Sequence, residues 1–141
     1  MNDKILSEIE TGQQVELRKF QAKDVEYIPA LFRAVYGEGY PIKTYYNPPE
    51  LLSQTEEKKI ILFVVKTPGE EVVACTAFYN ISPNKNLYEH GLTLVLPSYR
   101  KRGINNMIFK NIYSEQDHLP PQIHTVLGEP VCNHVFMQNR F

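Results

Sequence analysis

The chain predicts an α+β domain with a mostly antiparallel sheet and one parallel pair of strands. Three observations carry that prediction. Residues 59–66 and 71–79 are apolar, β-branched runs joined by Thr67-Pro68-Gly69-Glu70, which is the pattern of a hairpin. Residues 87–96 form a third extended run that leads through a basic loop into an amphipathic helix, with another extended run at residues 122–127. A strand–helix–strand unit of this kind closes a parallel pair through a right-handed crossover.

The elements follow in order. Residues before Gly12 fit a short helix or a frayed tail. Residues 15–20, Val-Glu-Leu-Arg-Lys-Phe, alternate and read as a first strand. In residues 24–37, Ile28, Leu31, Phe32 and Val35 share one helical face and Gly37 is a stop signal. Pro29 conflicts with a helix starting at Asp24, because an interior proline costs about 3 kcal/mol. A late start or a kink at Pro29 is expected. Residues 37–49 form a tyrosine-rich connection with Tyr40, Tyr45 and Tyr46, and Asn47-Pro48-Pro49 reads as the cap and first turn of a short second helix. The strand at residues 59–66 is apolar on both faces and therefore central. Residues 82–86 are a turn. The helix after the basic loop starts near Arg102-Gly103 and runs to about Ser114. Residues 118–121 are a loop, and Glu129-Pro130 opens a segment, residues 131–141, that looks like a helix start.

Bulk properties narrow the function. The chain has 141 residues, the size of one ordinary domain. A net charge of −1 gives no global attraction to nucleic acid or anionic membrane, and no apolar run approaches a membrane span. Neither of the two cysteines, Cys75 and Cys132, sits in a metal-type spacing, so no metal is expected. Cys75 lies in an apolar run and reads as a core thiol. With no apolar signal core at the N-terminus, a cytoplasmic location is the default expectation.

The most informative stretch is residues 95–105, Val-Leu-Pro-Ser-Tyr-Arg-Lys-Arg-Gly-Ile-Asn. The amides of a helix's first turn lack intrahelical acceptors, and the helix dipole adds positive potential there. A phosphate fits such a place. Arg100, Lys101 and Arg102 add charge, and Gly103 allows close backbone approach. The stretch resembles the acyl-CoA pyrophosphate loop of the GCN5-related N-acetyltransferases (GNAT). That family's Arg/Gln-x-x-Gly-x-Gly/Ala pattern stands here as Arg100-x-x-Gly103-x-Asn105, preceded by Val95-x-Pro97. Asn105 occupies the place of the family's last Gly or Ala. The order of elements matches the family from about Val15 to Phe141. Val35-Tyr36-Gly37-x-x-Tyr40-Pro41 with Tyr46-x-Pro48, and Val131-x-x-His134-x-x-x-Gln138, are similar to a bacterial branch often found within longer proteins.

The resemblance implies a GNAT fold, three layers with a splayed parallel strand pair, and transfer of an acetyl group from acetyl-CoA to a small-molecule or peptide amine. It implies that residues Arg100, Lys101, Arg102, Gly103, Ile104 and Asn105 hold the pyrophosphate. The pantetheine arm would run along Leu94 and Val95. An amine attacks only after losing a proton, and Glu89, at the family's general-base interval before Val95, is the candidate base. Strand alternation would put Glu89, Gly91, Thr93 and Val95 on one face, with His90 opposite in a surface role. Glu89 equally fits a solvated strand end. Tyr40, Tyr45 and Tyr46 fit either an acceptor wall or packing. The family's thiolate-protonating tyrosine has no match; Phe136 is no substitute. His134 with Gln138 reads as a core or interface pair, and Cys132 is not placed beside a base.

Residues 1–141 thus read as one GNAT-like domain that stops inside its last helix, without the family's final two strands. A fragment of a longer protein is expected, with self-association as a homodimer through its C-terminal half. The alternative function is a non-catalytic acyl-CoA-binding or regulatory domain. A nucleic-acid module built on residues 99–102 is disfavoured by the near-neutral charge.

Overall fold

The apolar runs become the strands of one mixed sheet. The computed structural model describes residues 4–8, 14–69, 71–81, 87–113 and 125–128. Among these, the strands are β1 (Lys4–Glu8), β2 (Gln14–Lys19), β3 (Ile60–Lys66), β4 (Val72–Asn80), β5 (Leu87–Val95) and β6 (Thr125–Gly128), in the spatial order β1-β2-β3-β4-β5-β6. Neighbours are antiparallel from β1 to β5, whereas β5 and β6 run parallel. The helix between them is α3 (Ile104–Tyr113), so the strand–helix–strand unit closes the expected parallel pair.

Helices cover both faces. Ile104, Met107, Ile108 and Ile112 of α3 pack on Ile61, Phe63, Val65, Phe78, Tyr88 and Val95. On the other face, α1 (Tyr27–Tyr36), a 3-10 turn (Lys43–Tyr46) and α2 (Pro48–Glu56) supply Ile28, Leu31, Phe32, Tyr45 and Leu51. They cover Ile60, Leu62, Val64, Cys75, Leu92 and Leu94. Every residue of β3 is buried, as expected of an interior strand apolar on both sides.

Local chemistry explains the helix ends. α1 starts at Tyr27, so Pro29 stands in the first turn, where its missing N–H removes no intrahelical bond. The late start is the outcome of the two that Pro29 allowed. Gly37 ends the helix at φ 59°, and its amide donates to the Arg33 carbonyl at 2.9 Å. Asn47 caps α2: its Oδ1 accepts from the Glu50 amide at 3.2 Å, and Pro48 is the first helical residue.

Three features depart from the sequence reading. The N-terminus is neither helix nor frayed tail: residues Lys4–Glu8 are β1, paired with β2. Their sequence, Lys-Ile-Leu-Ser-Glu, has too few apolar positions to show either period, and sheet pairing decides the conformation. Asp24 is a buried anchor at the end of a 3-10 turn (Ala22–Asp24) rather than the start of α1. Its carboxylate accepts from Arg18 Nη2 and Nη1 at 2.7 and 2.8 Å, from Lys66 Nζ at 3.3 Å and from the Gln21 amide at 2.8 Å. Burial raises the Asp24 pKa, but those donors outweigh it and hold the carboxyl below its ordinary 3.8. The cluster ties the start of the helical layer to β2 and β3.

The third departure bears on function. The β4–β5 register jumps from Ala77↔Leu92 to Phe78↔His90 and leaves Gly91 unpaired, a β-bulge. Alternation along β5 is therefore broken. Glu89 and Gly91 lie on the α1 side with Leu92 and Leu94, whereas Thr93 and Val95 lie on the α3 side. His90 does face opposite Glu89, but it is 4% exposed and belongs to the core, not the surface.

The turn at residues 82–86, the loop at residues 118–121 and the segment from Val131, with Cys132, His134, Phe136 and Gln138, lie outside the described residues. The expectations of an interrupted last helix and of self-association through it lie there too.

Candidate functional site

Two structures meet at the end of β5: a backbone edge with no neighbour among the described residues and a basic loop opening a helix. The first follows from the bulge. Parallel pairing with β6 covers Leu87, Tyr88, Glu89 and His90, which face Thr125, Val126, Leu127 and Gly128. From Gly91 onward the described residues give β5 a neighbour on the β4 side only, through Ala77↔Leu92, Thr76↔Thr93, Cys75↔Leu94 and Ala74↔Val95. Among the described residues, the other edge of residues 92–95 has no strand against it. Its peptide groups are a template for an extended, amide-bearing ligand.

The loop follows directly. Residues Pro97–Tyr99 make one 3-10 turn, and Leu96 is tied back to the Val73 carbonyl at 2.8 Å. Lys101 and Gly103 then take left-handed conformations, φ 63° and 84°. For Lys101 this costs roughly 1–2 kcal/mol, which the surrounding turn imposes. Such kinks turn successive amides toward one side, the geometry of an anion nest. The first bond of α3 runs from the Met107 amide to the Gly103 carbonyl at 3.0 Å. The amides of residues 104–106 therefore precede the helical ladder and have no acceptor within it.

A cavity of about 350 Å³ lies against these amides, lined by Val95, Tyr99, Lys101, Gly103, Ile104, Asn105 and Asn106. It brings together five of the residues predicted for the pyrophosphate and the arm: Val95, Lys101, Gly103, Ile104 and Asn105. Arg100 and Lys101 are exposed, and the Arg102 guanidinium stacks on Tyr99 at 4.8 Å. Arg100 also lies close enough to α1 for its charge to act on Tyr36. Burial raises that phenol's pKa, and Arg100 opposes the rise. Leu94 lends its backbone only, because its side chain is buried on the α1 side.

The residues present fit a diphosphate with a polar arm, and Asn105 sharpens the fit. Its Oδ1 is buried with no hydrogen-bond partner. An orphaned polar atom beside an anion cradle costs about 1–3 kcal/mol, and rotation of the amide would present the Nδ2 donor to an anion there. Among the described residues no cluster of three metal-ligating side chains occurs, and no helix is long and apolar enough to cross a membrane.

On the opposite side of β5, phenols converge. The ring of Tyr79 lies over Gly91, where a Cβ would come within 2.0 Å of Cε2. The Tyr79 hydroxyl is hydrogen-bonded to that of Tyr45, and Tyr45 stacks on Phe32 at 4.2 Å. Burial raises the pKa of all three phenols here, Tyr40 to about 12 and Tyr45 and Tyr79 further, so they are neutral donors rather than bases. Tyr45 is fully buried and belongs to packing, while Tyr40 and Tyr46 are partly exposed at its edge. Glu89 is the cross-strand partner of Tyr79 and is partly buried on the same face. Cys75 lies beneath, its thiol pushed up to about 12 by burial, and is inert.

Sequence reasoning missed Tyr79, Thr76, His90 and Thr93, which surround the bulge. Gly91 inside an otherwise regular strand was the available signal, because glycine there marks a bulge or a close backbone approach.

No protein-family model and no curated protein sequence matches the chain. Solved structures do. The GNAT domain of S. lividans PAT superposes with a TM-score of 0.65 at 15% identity, covering 98% of this chain and 84% of that one. The ribosomal-protein-alanine N-acetyltransferase from Brucella melitensis biovar Abortus 2308 gives 0.64 at 12% identity, covering 90% and 87%. AAC(6')-Iy, solved in complex with the bisubstrate analogue CoA-S-monomethyl-acetylneamine, gives 0.60 at 12% identity, covering 89% and 85%. The strand order, the parallel β5–β6 pair and the loop leading into α3 make this the fold of the GCN5-related N-acetyltransferases.

Proposed function

We propose that the chain is an acyl-CoA-dependent N-acetyltransferase acting on a primary amine. The observation that carries this reading is the adjacency of a strand edge that no described residue pairs with, residues 92–95, and an anion cradle at residues 100–106. A long ligand with a diphosphate and an amide-bearing arm is complementary to both. When bound, acetyl-CoA supplies a thioester-activated acetyl group. The amides of residues 104–106 would hold its diphosphate, with Arg100 and Lys101 adding charge. Backbone groups of residues 92–95 would hold the arm. Positioning of this kind contributes several kcal/mol to a two-substrate reaction.

Glu89 is the proposed base, taking the amine's proton directly or through water. Its place on the α1 side, across from Tyr79, is where an acceptor arriving over the phenol cluster would meet the strand. The bisubstrate complex of AAC(6')-Iy joins a CoA and an amine-bearing acceptor in one site of this fold, which supports the pairing.

Calorimetry with acetyl-CoA tests the reading. Binding that weakens tenfold or more in Arg100→Ala supports it; no binding by the unaltered chain refutes it. Thiol release with polyamine, aminoglycoside and peptide panels then tests turnover, and Glu89→Gln should lower kcat by roughly 10²–10⁴. Asn105, standing where the family pattern has Gly or Ala, favours one second reading, a domain that binds acyl-CoA without turnover. Binding without thiol release across the panels would select it.

A further inference from the structure

The bulge at Gly91 is held by side chains of β4 and β5. On the α3 side, Thr76 Oγ1 donates to the Leu92 carbonyl at 2.9 Å. The same oxygen lies 2.5 Å from His90 Nε2 and 3.0 Å from Thr93 Oγ1. The single hydroxyl proton of Thr76 is committed to Leu92, so Thr76 must accept from both neighbours. That assignment places the imidazole proton on Nε2 and makes Thr93 the other donor. Both lone pairs and the proton of Thr76 are then used, and Thr93 Oγ1 also lies 3.1 Å from His90 Nε2.

His90 is fixed in this role. It stacks on Phe78 at 4.7 Å and lies against Phe109 of α3 at 5.2 Å. Burial lowers its pKa to about 4, partly opposed by the Leu92 carbonyl, so the ring is neutral at physiological pH. From the α1 side the Tyr79 ring covers Gly91. The unpaired residue is thus gripped from both faces, next to the described parallel pair His90↔Gly128.

We propose that Thr76, with His90 and Thr93, is a positioning latch: by hydrogen-bonding the Leu92 carbonyl in the bulge, it keeps the edge of residues 92–95 turned to receive the pantetheine arm. The proposal rests on the acyl-CoA reading above. None of the three side chains touches the ligand. They act through the strand, whereas the cradle at residues 100–106 stands independently of them. Loss of the latch therefore uncouples the arm from the diphosphate.

Amide chemical shifts during an acetyl-CoA titration separate the two. In the unaltered chain, both residues 92–95 and residues 104–106 respond. In Thr76→Val, which keeps the shape and removes the hydroxyl, residues 104–106 still respond, residues 92–95 do not, and affinity falls about tenfold. Thr76→Ser restores both. Thr93→Val, which removes the outermost donor alone, shows the same pattern in weaker form and serves if Thr76→Val does not fold. Equal responses at both sets in the valine variants, or loss of both together in a folded variant, overturn the latch. An unaltered chain in which neither set responds overturns the acyl-CoA reading itself, and the latch with it.

Discussion

Gly91→Ala is the substitution whose cost the structure fixes most narrowly. Gly91 has no left-handed backbone, so the effect is steric. A methyl group would stand 2.0 Å from Tyr79 Cε2 and 2.1 Å from Cδ2, and the ring edge must retreat by about 1.4 Å to reach the 3.4 Å of ordinary contact. The far end of that ring is tied through its hydroxyl to Tyr45, which is itself clamped by Phe32. Retreat breaks the hydroxyl pair, costing about 1 kcal/mol, and overpacks a filled face, costing about 1–3 kcal/mol. The expected loss is about 2–4 kcal/mol. With a urea slope of roughly 1–3 kcal/mol/M, the unfolding midpoint falls by about 0.7–4 M. In a Tyr79→Ala background the methyl enters vacated space, and the same substitution should cost within about 0.5 kcal/mol of zero. Urea unfolding of the four proteins of this cycle checks both figures. A Gly91→Ala cost below about 0.5 kcal/mol in the unaltered background, or an equal cost in both, would refute the interlock.

Three further outcomes are expected. Asp24→Asn leaves Arg18 and Lys66 buried without their shared carboxylate and should cost about 3–5 kcal/mol in urea unfolding. Because the folded pKa of Asp24 is lowered, its contribution is present above the unfolded value and is lost as pH falls through the folded one, so the difference between the two proteins should shrink below pH 4. His90 acts in a higher window: its folded pKa of about 4 lies below the ordinary 6.5, so the unfolded chain binds the proton first. Stability is then unaffected above pH 6.5 and declines as pH falls toward 4, by up to about 1.4 kcal/mol per unit, a slope that His90→Gln should flatten in pH-resolved thermal unfolding. Asn105→Asp places a carboxylate at the anion cradle and should weaken acetyl-CoA binding roughly 10–100-fold by calorimetry.

What the sequence revealed, and what it did not, divides along the range of the forces involved. The hairpin of β3 and β4, the capped α2, the glycine stop of α1 and the loop into α3 are written in local patterns: alternation, Asn-Pro-Pro, Gly37, and Arg-Lys-Arg-Gly before an amphipathic run. Those elements stand where the periodicity and caps put them. Five of the residues assigned to the cradle and arm line one cavity, because a strand, a tight loop and a helix start leave them little choice. The parts that were not legible depend on partners distant in sequence. β1 is a strand because β2 pairs with it. Asp24 is an anchor because Lys66, 42 residues away, reaches it. The faces of β5 were misassigned because strict alternation ignores a bulge, and the bulge is decided by Thr76 and Tyr79 on the neighbouring strand. His90 is polar in sequence and buried in the fold for the same reason. Its polar partners lie on β4 and later in β5, and its aromatic ones on β4 and α3.

The account turns on one claim, that the edge of β5 at residues 92–95 and the loop before α3 form a single acyl-CoA site. A crystal structure of the chain with acetyl-CoA tests it most directly. The account predicts the diphosphate on the amides of residues 104–106, beside Arg100 and Lys101, and the arm hydrogen-bonded along residues 92–95 with its thioester end toward Gly91. Acetyl-CoA bound elsewhere, or a diphosphate in the cradle with the arm directed away from β5, would contradict it.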